Sequence, residues 1–312
     1  MIRNSKIIAT LGDATDKVLR KIVEGAADAV LIDSYYGSNE QNVERIEKVK
    51  SLREEVGRDL AIIYDVDHIY AKNKYKLIRI DEENVEFACV NDVDFVACPF
   101  VGNLDEITKV KELIKSQSIG IIVKIDCKDG YDNLDDILEI ADAIMINRDE
   151  LGVDISYEDL PGIQKEIVRR ANEVAKVVIL TTQMLYSMVY NPRPTRAEVS
   201  DVANAIFDGV DAVMLTEETA IGDYPCEALE TVDRIIRTVE KNNAVDAERF
   251  EVDGYKMSIS HAVSMTTKHL LEAVDVKNIV TYTKSGTTAR FIARYRPNIP
   301  VLAVLPDRES AR

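Results

Sequence analysis

Residues 191–225 read NPRPTRAEVSDVANAIFDGVDAVMLTEETAIGDYP, and this stretch decides how the fold is interpreted. Thr195 and Glu198 stand three positions apart at the start of a run with helical spacing, which is the pattern of a capping box. Gly209 is a typical helix end, and residues 211–216 form an apolar run of strand length. The stretch therefore predicts a helix followed by a strand, with a polar loop at the carboxyl end of the strand.

The same unit recurs along the chain. Short apolar runs rich in Val and Ile occupy residues 6–11, 28–33, 60–65, 94–98, 119–125, 142–146, 176–182 and 211–216. Charged segments with helical period lie between most of them, at residues 16–24, 42–55, 104–115, 134–140 and 157–175. Strands that are apolar on both faces and alternate with amphipathic helices are typical of a parallel sheet covered by helices. Eight such units predict a protein of the α/β class with a TIM (β/α)8 barrel.

The bulk composition excludes several classes of partner. With 39 basic and 55 acidic residues the net charge is −16, which disfavours nucleic acid and anionic membranes. We find neither an apolar run of the roughly 18 residues that span a bilayer nor a secretory signal, so we expect a cytoplasmic protein. The cysteines are widely spaced and we expect reduced thiols. They are Cys89, Cys98, Cys127 and Cys226.

The residues that follow the predicted strands are rich in carboxylates. In a TIM barrel these positions converge on one face, where barrel enzymes place their chemistry. The side chains are Asp33, Asp65, Asp67, Asp126, Asp149, Glu150, Glu217 and Glu218, together with a single lysine, Lys124. Mg²⁺ binds oxygen ligands from one or two carboxylates and completes its shell with water and substrate oxygens. The pattern therefore predicts a divalent-cation site.

Residues 181–225, from TTQMLYSM to GDYP, resemble the most recognisable segment of the pyruvate kinase family. SKIIATLG near the start and YTKSGTTARFIARYRP near the end resemble the same family, in the same order. The resemblance implies a barrel followed by a C-terminal α/β domain. It also implies phosphoryl transfer from phosphoenolpyruvate to ADP, giving pyruvate and ATP in glycolysis, with Mg²⁺ or Mn²⁺, K⁺ and a homo-oligomeric assembly.

The resemblance also implies roles for individual residues. VKIDCKDG resembles the family's K-I-E-N-x-x-G, so Lys124 balances charge on the phosphoryl group and the enolate, and Asp126 binds the metal. MINRDELG resembles A-R-G-D-L-G, which makes Glu150 the second metal ligand. Asp149 stands where the family has the glycine whose amide receives the substrate carboxylate. Thr182 matches the threonine that relays a proton to the enolate carbon.

Several positions depart from the family pattern. Leu31 replaces the arginine that grips the phosphate, and such a charge-assisted contact cannot be made by leucine. Asp33 and Tyr35 replace the Asn and Ser that help bind a monovalent cation, whereas Asp65 is retained. Residues 66–80 are expected to form a short loop in place of the family's lid domain.

The expected domain organisation is a barrel over residues 1–240, a linker over 241–256 and a partial C-terminal α/β domain over 257–312. In that domain we expect a helix at 257–274, strands at 279–283 and 301–305, and a helix at 287–294. A turn rich in hydroxyls precedes the second helix and resembles the family segment that binds a sugar-phosphate effector in some members. Its residues are Thr283, Lys284, Ser285, Gly286 and Thr287.

Three functions from different classes remain open at this point. The first is a pyruvate kinase of reduced form. The second is metal-dependent enolate chemistry on pyruvate-like acids, such as decarboxylation of oxaloacetate, which needs neither a nucleotide lid nor a phosphate-gripping arginine. The third is a non-catalytic ligand-binding or scaffolding homologue.

Overall fold

A computed structural model describes residues 3–66, 68–70, 77–100, 102–114, 118–241, 259–297 and 299–307. Eight parallel strands close into a barrel in the order β1-β10-β9-β8-β7-β6-β3-β2, which confirms the predicted TIM architecture. The strands are β1 (Lys6–Thr10), β2 (Ala29–Asp33), β3 (Ala61–Asp65), β6 (Phe95–Pro99), β7 (Gly120–Ile125), β8 (Ala143–Asn147), β9 (Val177–Thr181) and β10 (Ala212–Leu215). The predicted runs match these bounds closely at both ends.

Helices connect the strands of the barrel. They are α1 (Asp13–Asp16), α2 (Leu19–Glu24), α3 (Asn39–Val56), α4 (Glu82–Val90), α5 (Leu104–Leu113), α6 (Lys128–Asp132), α7 (Leu134–Ile140), α8 (Arg148–Asp154), α9 (Leu160–Glu173), α10 (Arg196–Asp208), α11 (Glu217–Ala220) and α12 (Pro225–Lys241). Two short 3-10 helices cover Ser34–Tyr36 and Tyr186–Val189. The helix expected at residues 16–24 is divided into α1 and α2, because the backbone leaves the helical region at Val18 (φ −129°, ψ 17°).

Helix α10 has the capping that its sequence predicts. The hydroxyl of Thr195 accepts the amide of Glu198 at 3.3 Å, and the Glu198 carboxylate accepts the amide of Thr195 at 2.7 Å. Gly209 ends the helix with a left-handed φ of 95°, which glycine adopts without steric cost. Glu198 also accepts hydrogen bonds from the amide and hydroxyl of Ser187, so the cap fastens the preceding 3-10 helix to α10.

The interior of the barrel is filled by apolar side chains from alternate strand positions. This buried cluster is separate from the larger core between sheet and helices. Its members are Ile8, Ala29, Leu31, Ala61, Ile63, Ala97, Ile122, Ala143, Met145, Ile179, Ala212 and Met214. Full burial of one large aliphatic side chain contributes roughly 1.5–3 kcal/mol, so the packed interior is a floor that stabilises the site above it. Because side chains alternate along a strand, the positions two residues further on face the barrel mouth.

At the opposite end of the barrel the same hydrogen-bonding arrangement occurs four times. An aspartate stands directly before each of four strands, and its carboxylate accepts a backbone amide near the start of the preceding strand. The pairs are Asp28 with Ile7, Asp94 with Ile62, Asp142 with Ile121 and Asp211 with Val178, at distances of 2.9, 2.7, 3.0 and 2.9 Å. The amide of each aspartate donates in turn to the carbonyl of the same partner. The second, fourth, sixth and eighth strands of the barrel are fastened in this way.

The described residues between 66 and 80 carry more structure than the expected loop. Strands β4 (His68–Tyr70) and β5 (Leu77–Ile80) pair antiparallel, with His68 opposite Ile80. Tyr and Ile are strand-favouring residues, which accounts for the pairing of the two short runs. Residue 67 and residues 71–76 lie outside the described residues, as does the expected linker apart from Lys241.

A small α/β unit follows the barrel, as expected. It consists of α13 (Ile259–Ala273), β11 (Ile279–Tyr282), α14 (Thr287–Ala293) and β12 (Val301–Val304), and the two strands pair parallel. Arg296 joins this unit to the barrel through Asp211 at 2.6 Å and Asn172 at 2.8 Å. Arg294 donates to the carbonyl of Glu173 at 2.8 Å. In the described part of the chain, no helix combines the length and apolar character that crossing a membrane requires.

Candidate active site

Polar side chains replace the apolar interior at the carboxyl end of the barrel. The alternation that buries Ile63 and Ile122 brings Asp65 and Lys124 to the top of β3 and β7. On β8 and β9 it brings Asn147 and Thr181 to the same height, where the two residues pair in register. A group of acidic, basic and neutral polar side chains therefore lies directly above an apolar floor.

Lys124 and Asp65 form an ion pair inside this mouth. The Nζ atom of Lys124 lies 2.7 Å from Oδ1 of Asp65, and the side chains are 12% and 15% exposed. Burial opposes the charge on Lys124, but the charge and hydrogen bond of Asp65, together with the charges of Asp126 and Glu150, hold the pKa of the amine above its ordinary value. The structure thus brings two predicted site residues together and keeps the lysine protonated.

Asp126 has an unusual environment for a carboxylate. The residue is only 4% exposed, and neither carboxylate oxygen has a hydrogen-bond partner among the described residues. Burial raises the pKa of Asp126 to about 7; the charge of Lys124 opposes this shift and the charge of Glu150 adds to it. The backbone amide of Asp126 and the thiol of Cys127 lie near the carboxylate and lower its pKa slightly, but neither makes a hydrogen bond of good geometry to it. A buried carboxylate with such weak donors is costly unless a cation or proton joins it.

Glu150 and Asp149 lie in the first turn of α8, where the helix dipole favours acids. Both residues are exposed at the rim. Partial desolvation nevertheless raises the pKa of Glu150; Lys124 opposes that shift, whereas Asp65 and Asp149 add to it. Desolvation likewise raises the pKa of Asp149, against the charge of Arg148.

The oxygen atoms at the barrel mouth suit a divalent cation that water and substrate help to coordinate. Among the described residues, no group of three or more His, Cys, Asp or Glu side chains is arranged to hold a metal ion. Mg²⁺ needs only one or two protein carboxylates when substrate and water complete its shell. The bare oxygens of Asp126 and the charge interaction between Asp126 and Glu150 fit such an ion.

Thr182 follows β9 in a left-handed backbone conformation (φ 68°), and Gln183 shares it (φ 51°). The hydroxyl of Thr182 donates to the carbonyl of Thr181 at 2.7 Å and accepts the amides of Arg148 and Asp149 at 3.1 and 3.3 Å. Thr182 therefore caps α8 from the neighbouring strand. Two consecutive non-glycine residues with positive φ store strain of the kind that clusters at functional sites.

Arg148 is a site residue that the sequence analysis did not single out. Its guanidinium bonds Asp201 at 2.6 Å, the carbonyl of Thr182 and the sulfur of Met184. These contacts hold the turn after β9 against the start of α8. The signal was present in MINRDELG, where an arginine directly follows a strand, but its partners lie more than thirty positions away in the chain.

The structure also shows where the residues that depart from the family pattern lie. Leu31 is 1% exposed and belongs to the apolar floor. Asp33 lies opposite Asp65 in the β2–β3 register, and its carboxylate accepts the amide of Tyr35 at 2.8 Å. Tyr35 is 84% exposed. The expected monovalent-cation residues Asp33 and Asp65 are therefore neighbours, although Asp65 is also bound to Lys124.

The turn expected to cradle an effector phosphate precedes α14 in the C-terminal unit. Gly286 has a left-handed φ of 72°, and the hydroxyls of Ser285 and Thr287 lie 2.9 Å apart. The amide of Thr283 donates to Val304 at 3.1 Å, which continues the pairing of the two strands. Lys284 is exposed. Binding of a phosphate there stays a prediction.

Two family models match this chain. The family model described as pyruvate kinase, barrel domain, matches residues 73–229, and the model described as pyruvate kinase, alpha/beta domain, matches residues 261–312. A pyruvate kinase of Bacillus licheniformis is 45% identical over 228 residues, which cover 72% of this chain and 39% of the relative. A pyruvate kinase of Staphylococcus aureus (strain MRSA252) is 42% identical over 237 residues, covering 74% and 40%.

This chain spans about two fifths of the length of the curated relatives that it matches. The barrel model covers residues that include the whole of the Lys124, Asp126, Glu150 and Thr182 constellation. The chain belongs to the pyruvate kinase family.

Proposed function

We propose that the barrel mouth transfers the phosphoryl group of phosphoenolpyruvate to ADP, giving pyruvate and ATP. The observation that carries this proposal is the protonated Lys124 beside the bare carboxylate of Asp126. Together they offer one fixed positive charge and one position for a cation, which is what a phosphoryl group and its metal ion require. The pyruvate kinases that this chain resembles support the same reaction.

Asp126 and Glu150 would hold Mg²⁺ or Mn²⁺ in this proposal. Such an ion, when bound, supplies positive charge to the phosphoryl and enolate oxygens. Lys124 contributes the matching charge from the protein, and its amine exchanges Asp65 for a substrate oxygen as the substrate enters. The bond from phosphorus to the enol oxygen breaks, a bond from phosphorus to a β-phosphate oxygen of ADP forms, and the electron pair stays on the enol oxygen.

The enolate then takes a proton at carbon. We propose that Thr182 relays it from water. The hydroxyl, which now donates to the carbonyl of Thr181 between β9 and the first turn of α8, gives its proton to the carbon and takes one from a water molecule, which leaves as hydroxide. The start of α8, with the amides of Arg148 and Asp149, would receive the substrate carboxylate, since helix N-termini favour anions. Asp149 would have to turn its own carboxylate away, and its exposed position allows this.

We further propose K⁺ near Asp33 and Asp65, an effector phosphate at Thr283 to Thr287, and a cytoplasmic homo-oligomer with domains at 1–240 and 257–312. These follow from the family and from the net charge of −16, which disfavours nucleic acid and membrane partners. Light scattering at micromolar concentration tests the assembly, and a monomer there would contradict it.

The direct test measures pyruvate formation from phosphoenolpyruvate and Mg²⁺, with and without ADP. Wild type should form pyruvate only with ADP, and Lys124→Met should lose at least a hundredfold in kcat/KM because it removes the fixed charge. Lys128→Met is the matched control, since Lys128 is exposed and pairs with Asp132 on α6. A folded wild type that forms no more pyruvate than Lys124→Met would end the kinase proposal.

A second candidate is metal-dependent enolate chemistry without phosphoryl transfer. Leu31 is buried in the apolar floor where the family places its phosphate-gripping arginine, and Arg148 is already bound to Asp201. Decarboxylation of oxaloacetate needs a cation and a carboxylate pocket but no such arginine. Oxaloacetate loss that depends on Mn²⁺ and is indifferent to ADP would favour this candidate. If the folded protein shows neither activity, the non-catalytic binding homologue is the function that is left.

A further inference from the structure

Three side chains at the barrel mouth form a row across consecutive strands. Ile125 pairs with Ile146, so the next position along β7, Asp126, lies beside Asn147. Asn147 pairs directly with Thr181 on β9. Neighbouring strands are about 4.8 Å apart, so the three residues stand side by side. Met145 and Ile179, two positions earlier, belong to the barrel interior, and alternation therefore turns Asn147 and Thr181 inward.

The row is defined by oxygens that have no partner. Both carboxylate oxygens of Asp126, Oδ1 of Asn147 and Oγ1 of Thr181 are buried without a hydrogen bond in the described part of the protein. Asp126 is 4% exposed and Thr181 is 1% exposed. Buried polar atoms are nearly always paired in native proteins, so four bare oxygens in one row need a common explanation.

The start of α8 is capped by a residue other than Asn147, which leaves the side-chain oxygen of Asn147 without a hydrogen bond among the described residues. Asn147 occupies the N-cap position, where asparagine ordinarily accepts a backbone amide of the first turn. Here its side chain makes no such bond, and the hydroxyl of Thr182 accepts the amides of Arg148 and Asp149, of which the second is an ordinary partner of an N-cap side chain. Asn147 is thereby released from capping and its amide oxygen remains available inside the barrel.

We propose that Asn147 and Thr181 are ligands, with Asp126, of a divalent oxygen-preferring cation such as Mg²⁺ or Mn²⁺. The role of that ion in phosphoryl transfer rests on the proposed function, whereas its position in the row does not. The set contains a carboxylate, an amide oxygen and a hydroxyl, and it contains no sulfur or imidazole, which is the chemistry of a hard cation.

A cation satisfies the row better than the other groups that would fit. A substrate hydroxyl has one hydrogen to donate and would leave most of the four oxygens unpaired. Lys124 donates to Asp65, and none of the four oxygens accepts a hydrogen bond from it. Glu150 interacts with Asp126 through charge, so a second carboxylate near the row favours a cation.

The family pattern A-R-G-D-L-G has alanine where Asn147 stands, so this part of the row is not a copied feature of the family motif. The residue that follows β7 is also changed, from Glu to the shorter Asp126. An ion held by the shorter side chain lies closer to the strand ends, where the register places Asn147 on the adjacent strand and Thr181 on the strand after it.

The test measures Mn²⁺ binding to the full chain without substrate. The readout is the electron paramagnetic resonance signal of free Mn²⁺, which falls as the ion binds. Asn147→Ala and Thr181→Val should each weaken binding about tenfold, the scale of change when groups that support a metal are removed. Thr10→Val is the matched control, because Thr10 is equally buried and its hydroxyl bonds the carbonyl of Leu215. It should bind Mn²⁺ like wild type.

Asn147→Asp should bind Mn²⁺ at least threefold more tightly, because it adds negative charge beside the ion. The decisive comparison is between the row variants that keep the charge of the site, Asn147→Ala and Thr181→Val, and the control Thr10→Val. Affinities of Asn147→Ala and Thr181→Val within twofold of wild type, with loss in Asp126→Asn, would overturn the proposal and leave Asp126 and Glu150 as the ligands.

The Mn²⁺-binding test does not depend on whether the protein catalyses the proposed reaction. Weakened Mn²⁺ binding in the row variants would support the cation position even if wild type formed no pyruvate. Unchanged binding in those variants, together with pyruvate formation by wild type, would refute the row and retain the proposed reaction. Circular dichroism of each variant establishes that the protein compared is folded.

Discussion

The Nζ atom of Lys124 lies 2.7 Å from Oδ1 of Asp65, although the residues stand 59 positions apart in the chain. The contact spans β6, because β3 and β7 are both neighbours of that strand. Asp126 and Glu150 add their charges around the same amine. One lysine thus balances several carboxylates at the mouth, and its loss has a larger effect than the loss of any single acid.

We expect Lys124→Met to lower the free energy of unfolding by about 3 kcal/mol, the scale for breaking a buried ion pair from one side. Asp65→Leu should cost less, because Asp126 and Glu150 continue to neutralise Lys124. Urea unfolding in EDTA measures both, and the double variant should lose about 1 kcal/mol less than the sum. Equal losses in the two single variants would contradict this charge distribution.

Leu31→Arg should strengthen the binding of phosphoenolpyruvate under the proposed function. Leu31 and Asp33 share the inner face of β2, so an arginine at position 31 extends from the floor toward the mouth. A charge-assisted contact of roughly 1.5–3 kcal/mol corresponds to a fall in KM of about tenfold or more. Leu31→Met is the volume-matched control. A KM that stays the same in a folded Leu31→Arg protein would show that the substrate phosphate does not approach this strand.

Glu198→Gln should make stability less dependent on acid pH. Burial opposes ionisation of Glu198, but the hydrogen bonds from Ser187 and Thr195 outweigh it and lower the pKa of the carboxyl. The charged form is therefore favoured by folding, and this contribution is present above the unfolded pKa of about 4.3 and is lost as pH falls through the folded value.

Because Glu198 is only partly buried, the expected loss in Glu198→Gln is about 1 kcal/mol at pH 7. The difference from wild type should be full above about pH 5 and should shrink as the pH is lowered below the unfolded pKa of about 4.3, as measured by urea unfolding at each pH. The exposed Glu158 supplies the control variant Glu158→Gln. If the stability difference between wild type and Glu198→Gln grew at acid pH, folding would raise the pKa of Glu198 and not lower it.

Gln183→Gly should stabilise the protein. Gln183 is exposed and has a φ of 51°, a conformation that costs a residue with a Cβ about 1 kcal/mol and costs glycine nothing. Relief of that strain should raise Tm by about 2 °C, whereas Gln183→Ala should leave it unchanged. Calorimetry measures both. A lower Tm in Gln183→Gly would mean that the side chain makes compensating contacts.

Thr182→Gly provides the contrasting case. Its φ of 68° would be relieved in the same way, but the variant loses the hydroxyl that caps α8. Removal of a helix cap costs typically 1 kcal/mol, so the two effects should nearly cancel in the free energy of unfolding.

The strands and the caps of α10 could be predicted because their signals are local. Apolar runs mark the eight strands, and the Thr195 and Glu198 spacing marks the start of a helix. The expectation that Asp126 and Lys124 share the mouth followed from their separation by two positions on one strand. These predictions required only the alternation of side chains and the closure of a parallel barrel.

The rest depends on contacts between distant positions. Asn147 looks like an ordinary helix cap until Thr182, more than thirty residues later, accepts the same amides. Arg148 gains its role from Asp201 in the same manner. The division of α1 from α2 and the pairing of β4 with β5 arise from competing backbone preferences, which short segments of sequence do not resolve.

The four aspartates that precede alternate strands make the barrel a ring of four similar two-stranded modules. Each module is aligned at its amino end by one carboxylate that grips the neighbouring strand. The alignment of the ring is therefore set by residues on the face opposite the mouth. Side chains at the mouth, such as Leu31 and Asn147, can therefore be exchanged without a change in the alignment of one module against the next.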